Sequence, residues 1–272
     1  MNVLLTNDDG IDAEGLLTLR RALAAVPGVR LLVIAPDGNR SAMARMITTR
    51  RPLWVQETVF DDGTVGYATD GTPVDCVRFG QLRLVEDFEP ELIVAGINHG
   101  SNMGDDVTYS GTVAAAFEGI ILGIPAIAVS QQSTEREMDF RFGASFSFDL
   151  AADFTARIVA ELDDVPLPRG TLLNINVPGE HPAGVEVTRL GKRIYNDALQ
   201  LHEDAGEGRR RFWIYGADPG WHEDAGTDLA AVAGGRISVT PVHFDLTDVD
   251  SLDALEAHDL TRLLAPAASE LR

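Results

Sequence analysis

The chain alternates short apolar runs with amphipathic segments, and this alternation constrains its fold more than any other feature. Uninterrupted apolar strands that are joined by helices are typical of a parallel sheet covered on both faces. We therefore predict an α/β fold with a mostly parallel sheet and helices on both faces. The predicted strands are 3–6, 29–35, 92–97, 126–130 and 171–177, the predicted helices are 14–26, 73–84, 112–122 and 143–162, and 53–60 with 64–69 form a predicted hairpin.

The pattern changes after the last of these strands. Segment 185–221 is polar, and three consecutive arginines precede a run of aromatic and aliphatic residues from Phe212 to Tyr215. We predict a β-arm there, which is equally consistent with a subunit contact and with a plain surface hairpin. A strand over 237–242 and a helix over 251–264 follow. The predicted divisions are a core (1–184), an arm (185–235), and a strand and helix that return to the core or to a partner subunit (236–272).

Composition excludes several classes of function. The formal net charge of -20 would repel a nucleic-acid backbone, so a partner of that kind is not expected. Cys76 is the only cysteine, which indicates a reducing, cytoplasmic location. The most apolar segment, 113–129, is interrupted by Glu118 and Pro125, and no signal peptide is expected at the N-terminus. We therefore expect a cytoplasmic protein that neither enters a membrane nor binds nucleic-acid polymers.

Three polar loops follow predicted strands: 7–10, 37–41 and 98–112. Ligands of open parallel sheets bind outside the carboxyl ends of the strands, so all three loops are expected on the ligand-binding side. Such a meeting of loops predicts a functional site at that edge of the sheet.

The first loop contains two adjacent carboxylates, Asp8 and Asp9, whose mutual repulsion must be offset. Hard divalent cations such as Mg²⁺ bind carboxylate, carbonyl and hydroxyl oxygens. Ser41 and Asn98, from the other two loops, could add neutral oxygens. The alternative is that one aspartate caps the helix that follows Gly10, which would explain one carboxylate but not both.

The third loop ends in Ser110-Gly111-Thr112, directly before a predicted helix. Free amides at a helix N-terminus and small hydroxyl residues form an anion site, although Ser110 could also be a simple N-cap. The turn is neither a Walker loop nor a dinucleotide fingerprint. His99 could act as an acid or be structural. Arg40 could balance phosphate charge or pair with Asp37.

Several long motifs, taken together, resemble the SurE family (survival protein E), which comprises metal-dependent nucleoside-monophosphate phosphatases. The resemblance covers nearly the whole chain, and the motifs occur in the order typical of that family. One segment after Ser41, SAMARMIT, is richer in methionine than the family pattern, so we expect a different pocket rim. The matching motifs are LLTNDDGIDAEG (4–15), APDGNRS (35–41), TDGTPVDCVRFG (69–80), VAGINHGSNMGDDVTYSGTVAAAFEG (94–119), NINVP (174–178) and ISVTPVHFDLT (237–247).

The resemblance implies a set of site residues and an assembly. It implies that one divalent metal ion per subunit, Mg²⁺ or Mn²⁺, is bound by Asp8, Asp9, Ser41 and Asn98. It also implies that phosphate is held by Asn39 and the turn Ser110, Gly111 and Thr112. A Rossmann-like core with an exchanged C-terminal extension is expected, which favours a homodimer or homotetramer formed through the arm.

The expected activity is hydrolysis of nucleoside 5′- and 3′-monophosphates to nucleoside and phosphate, with Asp8 and Asp9 as the catalytic residues. Asp8 or Asp9 is the expected base for water, and an aspartyl-phosphate on Asp8 stays open as a second route. Other readings are an exopolyphosphatase or a broad-specificity acid phosphatase that uses the same metal site. A non-catalytic nucleotide-binding module and a structural oligomer scaffold are further alternatives. The scaffold leaves the polar loops unexplained.

Overall fold

A single nine-stranded sheet forms the centre of the protein. The computed structural model describes residues 1–138, 143–165, 167–179, 181–196, 198–214, 220–258 and 260–264. In spatial order the strands are β3 (Val55–Val59), β4 (Val65–Thr69), β2 (Arg30–Pro36), β1 (Asn2–Thr6), β5 (Leu92–His99), β6 (Ala126–Gln131), β7 (Thr171–Val177), β13 (Ile237–His243) and β8 (Val185–Val187).

Most neighbouring strands of this sheet are parallel. Strand β1 pairs in parallel with β2 and β5, and the parallel pairing continues through β6 to β7. The antiparallel pairs are β3 with β4, which is the predicted hairpin, and β7 with β13. The predicted mostly parallel α/β sheet is therefore confirmed, and β1, β2 and β5 present their carboxyl ends at one edge.

Helices cover both faces, as predicted. One apolar cluster packs β1 against α1 and α4 through Leu5, Leu16 and Ala152, and the other packs it against α2 and α3 through Leu4 and Phe117. Leu4 and Leu5 enter different clusters because successive strand residues point to opposite faces. The helices are α1 (Glu14–Ala24), α2 (Pro73–Gln81), α3 (Gly111–Ile121), α4 (Asp149–Ala160), α5 (Asp228–Ala233) and α6 (Leu252–Glu256), and 3₁₀ turns span Gly104–Thr108, Val249–Ser251 and Leu260–Leu264.

Two predicted helices differ from the structure. The helix predicted from residue 143 begins at Asp149, because the backbone of Ser145 is bonded to the preceding loop. The Ser145 carbonyl accepts from the Thr134 amide at 2.9 Å, and the Ser145 amide donates to Glu135 at 3.4 Å. The predicted closing helix over 251–264 is instead α6 followed by the 3₁₀ turn, and residue 259 lies outside the described residues.

The predicted arm contains short strands beyond the main sheet. An antiparallel hairpin pairs β10 (Gln200–Asp204) with β11 (Arg210–Trp213), and β9 (Arg193–Ile194) pairs with β12 (Gly220–Trp221). The hairpin exposes Leu201, Phe212 and Trp213. Residues 197 and 215–219 of the arm lie outside the described residues. The division into core, arm and returning segment stays a prediction.

No helix in the described parts of the chain has the length and apolar character needed to cross a membrane.

Candidate functional site

The three polar loops meet at the carboxyl edge of β1, β2 and β5. Gly10 has a φ of +113°, which favours glycine, and a Cβ on Gly10 would lie 3.0 Å from the Cα of Gly38. The Arg40 amide donates to the Asp8 carbonyl at 2.6 Å. The first two loops therefore pack backbone against backbone, and this close approach depends on the absence of a side chain at Gly10.

Asp8 is a buried carboxylate, with only 2% of its surface exposed. Its Oδ1 accepts a hydrogen bond from Thr112 Oγ1 at 2.6 Å, and a Cβ on Gly111 would lie 2.7 Å from its Oδ2. Burial, and then the charge of Asp9, raise the pKa of Asp8 from 3.8 to about 6, although hydrogen bonds from Thr112 oppose the rise. The first residues of α3 therefore contact the Asp8 carboxylate directly, through the packing of Gly111 and the hydrogen bond from Thr112.

Asp9 is held by groups from the other two loops. Its Oδ2 lies 2.8 Å from His99 Nδ1 and accepts from the His99 amide at 3.2 Å, while Asn39 Nδ2 donates to its Oδ1 at 3.2 Å. Burial of the His99 ring lowers its pKa, but the hydrogen bond and charge of Asp9 outweigh burial, so the pKa is raised above its ordinary value. Phe146 and Phe148 pack edge-on against the ring, with centroids 5.2 and 4.9 Å away.

Asp8, Ser41 and Asn98 line one cleft of about 290 Å³. Asn98 Nδ2 donates to the Gly100 carbonyl at 2.8 Å, so the side-chain oxygen of Asn98 is the atom that could coordinate a cation. The Ser41 amide donates to Asn39 Oδ1 at 2.9 Å, which links Ser41 to Asp9 through the Asn39 amide group. The rest of the lining is Ala42, His99, Gly100, Ser101, Asn102, Asp106, Tyr109, Ser110, Met138 and Arg193.

These donors fit a hard divalent cation. Among the described residues, no group of three or more histidine, cysteine or acidic side chains is placed to hold a metal ion. A cation site here would therefore combine two carboxylates with neutral oxygens, which is the oxygen-rich set that Mg²⁺ and Mn²⁺ prefer. The raised pKa of Asp8 reflects electrostatic repulsion from Asp9 as well as burial, and a bound cation would relieve that repulsion.

The residues of the predicted phosphate-binding turn, 110–112, contact different groups. Ser110 Oγ caps α3 by accepting from the Val113 amide at 3.1 Å, so the alternative N-cap role of Ser110 is confirmed, and Ser110 also lines the cleft. Thr112 is fully buried, and its hydroxyl is directed at Asp8. Asn39 is exposed and donates to Asp9. Phosphate binding by Asn39, Ser110, Gly111 and Thr112 stays a prediction.

Arg193 contributes a cleft wall that the sequence did not predict. Its Nε donates to Asp106 Oδ2 at 2.6 Å, its Nη2 donates to the Met138 carbonyl at 2.8 Å, and Tyr195 donates to Asp106 Oδ1 at 2.9 Å. The start of the arm therefore packs onto the third loop. The sequence held no signal for this contact, since Arg193 lies 87 residues from Asp106. Arg40 pairs with Asp37 at 2.5 Å, which is one of the two roles that the sequence predicts for it.

Comparisons with known proteins find relatives over nearly the whole chain. A family profile described as "Survival protein SurE" matches residues 3–197. A protein named 5'-nucleotidase SurE from Rubrobacter xylanophilus is 51% identical over 97% of this chain and 99% of its own length. A protein of the same name from Geobacter sulfurreducens is 43% identical over 96% of this chain and 95% of its own length. The crystal structure of the SurE protein from Aquifex aeolicus aligns with a TM-score of 0.77 and 37% identity, covering 95% of this chain and 99% of the other.

Proposed function

Because the chain belongs to the SurE family, as its motifs predicted, we propose that it is a 5'-nucleotidase that hydrolyses nucleoside monophosphates to nucleoside and phosphate. The observation that carries this proposal is the pair Asp8 and Asp9 at the meeting point of three loops. One carboxylate of the pair is buried and lines the cleft, and the other is fixed by His99 and Asn39. Two adjacent carboxylates favour the binding of a cation, and the charge of a bound cation favours the binding of a phosphate.

The cation would be held by Asp8, Asp9, Ser41 and Asn98, and we propose one Mg²⁺ or Mn²⁺ per subunit. When bound, a divalent cation supplies positive charge that offsets the carboxylate pair and the negative charge of the phosphoryl group. The bond from Thr112 Oγ1 at 2.6 Å and the packing of Gly111 hold the Asp8 carboxylate in one orientation. The same helix end would therefore position a cation ligand, and Ser110 beside it lines the cleft.

The chain's own groups can handle the proton and the leaving group. In the proposed reaction a water oxygen bonds to phosphorus, the ester P–O bond breaks, and the nucleoside oxygen takes up a proton. An oxygen of Asp8 or Asp9 accepts the proton of the water. His99 Nδ1 is bonded to Asp9, which leaves Nε2 as the ring atom able to exchange a proton in the cleft. The Asp9 bond fixes the direction in which that nitrogen points.

We also propose that the exposed arm joins subunits into a homodimer or homotetramer and that the protein is cytoplasmic. The exposed Phe212 and Trp213 of the hairpin support an interface, because large apolar side chains are costly to leave in water. The location is supported by Cys76, the single cysteine of the chain, which is buried and unpaired.

Phosphate release tests the proposed activity directly. Nucleoside 5′- and 3′-monophosphates and long-chain polyphosphate are assayed with Mg²⁺, Mn²⁺ or Co²⁺ and with a chelator. We expect release from nucleoside 5′-monophosphates that the chelator abolishes and that Asp8→Asn reduces by at least about 100-fold. Release from polyphosphate alone would favour the exopolyphosphatase. Nucleotide binding that survives chelation, with no release, would favour a binding module.

A further inference from the structure

The loop that follows Ser41 (residues 42–49, the rim loop) has an unfavourable backbone. Ala42 and Ala44 have φ angles of +59° and +49°, in the left-handed region that residues with a Cβ rarely adopt. Such conformations persist only where the surrounding structure holds them in place. The Ser41 backbone is bonded to Asn39 on one side, and on the other side its position depends on the contacts that restrain the rim loop.

Backbone tethers attach the rim loop to two neighbouring elements. The Ala44 amide donates to the Tyr109 carbonyl at 3.1 Å, beside the cleft. Thr72 Oγ1, at the N-terminus of α2, donates to the Met46 carbonyl at 2.7 Å. The Thr48 amide donates to Asp75 Oδ1 at 3.1 Å, also at the start of α2. Each of these bonds is neutral or involves one charge, and none joins the loop to the body of α3.

Arg45, whose side chain is 33% exposed, provides that connection through an ion pair with a buried carboxylate. Its Nη2 lies 3.1 Å from Oε2 of Glu118, whose side chain is only 1% exposed, and its guanidinium stacks 4.4 Å from the ring centroid of Phe244. Glu118 lies on α3, the helix whose first residues contact Asp8. Arg45 therefore ties the loop that carries Ser41 to the helix that holds Asp8.

A second arginine also balances the charge of Glu118, so charge balance does not by itself require Arg45. Arg78 Nε, on α2, lies 2.5 Å from Glu118 Oε1. Both arginines serve the same carboxylate, but only Arg45 belongs to the rim loop. We propose that Arg45 is a positioning residue: through Glu118 and Phe244 it fixes the rim loop and so keeps Ser41 at the cation site. This inference rests on the proposed function for the role of the cation.

The pair of arginines supplies a matched control. Arg45→Met keeps an apolar stem but removes the charge, Arg78→Met makes the same change on the opposite side of Glu118, and Arg45→Lys restores a charge. The binding of Mn²⁺ without nucleotide is measured by electron paramagnetic resonance of the free ion. Amide hydrogen exchange of peptides that cover residues 41–49 is measured in the same samples. The Ala44 and Thr48 amides are hydrogen-bonded to neighbouring elements, so their exchange rates report how firmly the rim loop is held.

We expect Arg45→Met to weaken Mn²⁺ binding by about 10-fold or more, as removal of groups that orient metal ligands does. It should also speed exchange in 41–49, while Arg78→Met leaves both unchanged and Arg45→Lys recovers most of the affinity. Saturating Mn²⁺ should restore most of the phosphate release of Arg45→Met. Equal Mn²⁺ affinity for Arg45→Met and the wild type, or equal losses in Arg45→Met and Arg78→Met, would overturn the inference. Absent phosphate release by the wild type would instead overturn the proposed function.

Discussion

Replacement of Asp8 by asparagine should remove most of the activity and yet stabilise the metal-free protein. The pKa of Asp8 is about 6 in the fold, against 3.8 for an unperturbed carboxyl. Each factor of 10 in proton affinity corresponds to about 1.36 kcal/mol, so ionised Asp8 costs the fold about 3 kcal/mol at neutral pH. The amide of the asparagine variant is uncharged, and its oxygen can still accept the hydrogen bond from Thr112. We expect Tm to rise by roughly 5–10 °C.

The sign of the pH dependence follows from the raised pKa. The folded protein holds the Asp8 proton more tightly than the unfolded chain, so the wild type loses stability as pH rises from about 4 to about 6. The advantage of Asp8→Asn should therefore be complete at pH 7.5, fall to about half at pH 5 and vanish below pH 4.

Urea unfolding in a chelating buffer at pH 7.5 and pH 5 measures this difference. Asp12 is an exposed carboxylate in the same segment between β1 and α1. Asp12→Asn is therefore the control, and it should leave the free energy of unfolding unchanged at both pH values. Saturating Mn²⁺ should reverse the order, because only the wild type binds the ion well. A variant that is as stable as the wild type, or less stable, in chelator at pH 7.5 would refute the electrostatic reasoning.

Three further predictions concern the surroundings of the site. Gly111→Ala places a methyl group 2.7 Å from Asp8 Oδ2, so Mn²⁺ affinity in a titration should fall by about 10-fold or more, and an unchanged affinity would contradict the packing. Thr112→Val removes the donor to Asp8 and should lower kcat by roughly 10-fold or more, whereas Thr112→Ser should retain it; equal rates for both variants would argue against the hydrogen bond. Replacement of Phe212 and Trp213 by serine should reduce the mass measured by light scattering to that of a smaller assembly, and an unchanged mass would move the subunit interface elsewhere.

Much of the site follows from where strands end. The predicted meeting of the loops that carry Asp8, Ser41 and Asn98 holds because β1, β2 and β5 are parallel, so their carboxyl ends share one edge. Sequence periodicity was sufficient for that conclusion, since it depends on strand direction and not on detailed packing.

Side-chain directions could not be predicted in the same way. The contact between Asp9 and His99 joins residues 90 positions apart, and its formation depends on how Phe146 and Phe148 pack around the ring. The hydrogen bond from the Thr112 hydroxyl to Asp8 could not be predicted either, because it depends on how the start of α3 packs against that carboxylate. Helix α4 begins at Asp149 because the backbone of Ser145 is bonded to the preceding loop, which sequence periodicity cannot report.

Anomalous X-ray scattering from crystals soaked in Mn²⁺ tests most directly whether the acidic pair holds a divalent cation. We predict one strong peak per subunit, about 2.0–2.5 Å from carboxylate oxygens of Asp8 and Asp9 and in contact with the side-chain oxygens of Ser41 and Asn98. Only water at that position under saturating Mn²⁺, or a peak that touches neither aspartate, would contradict the account.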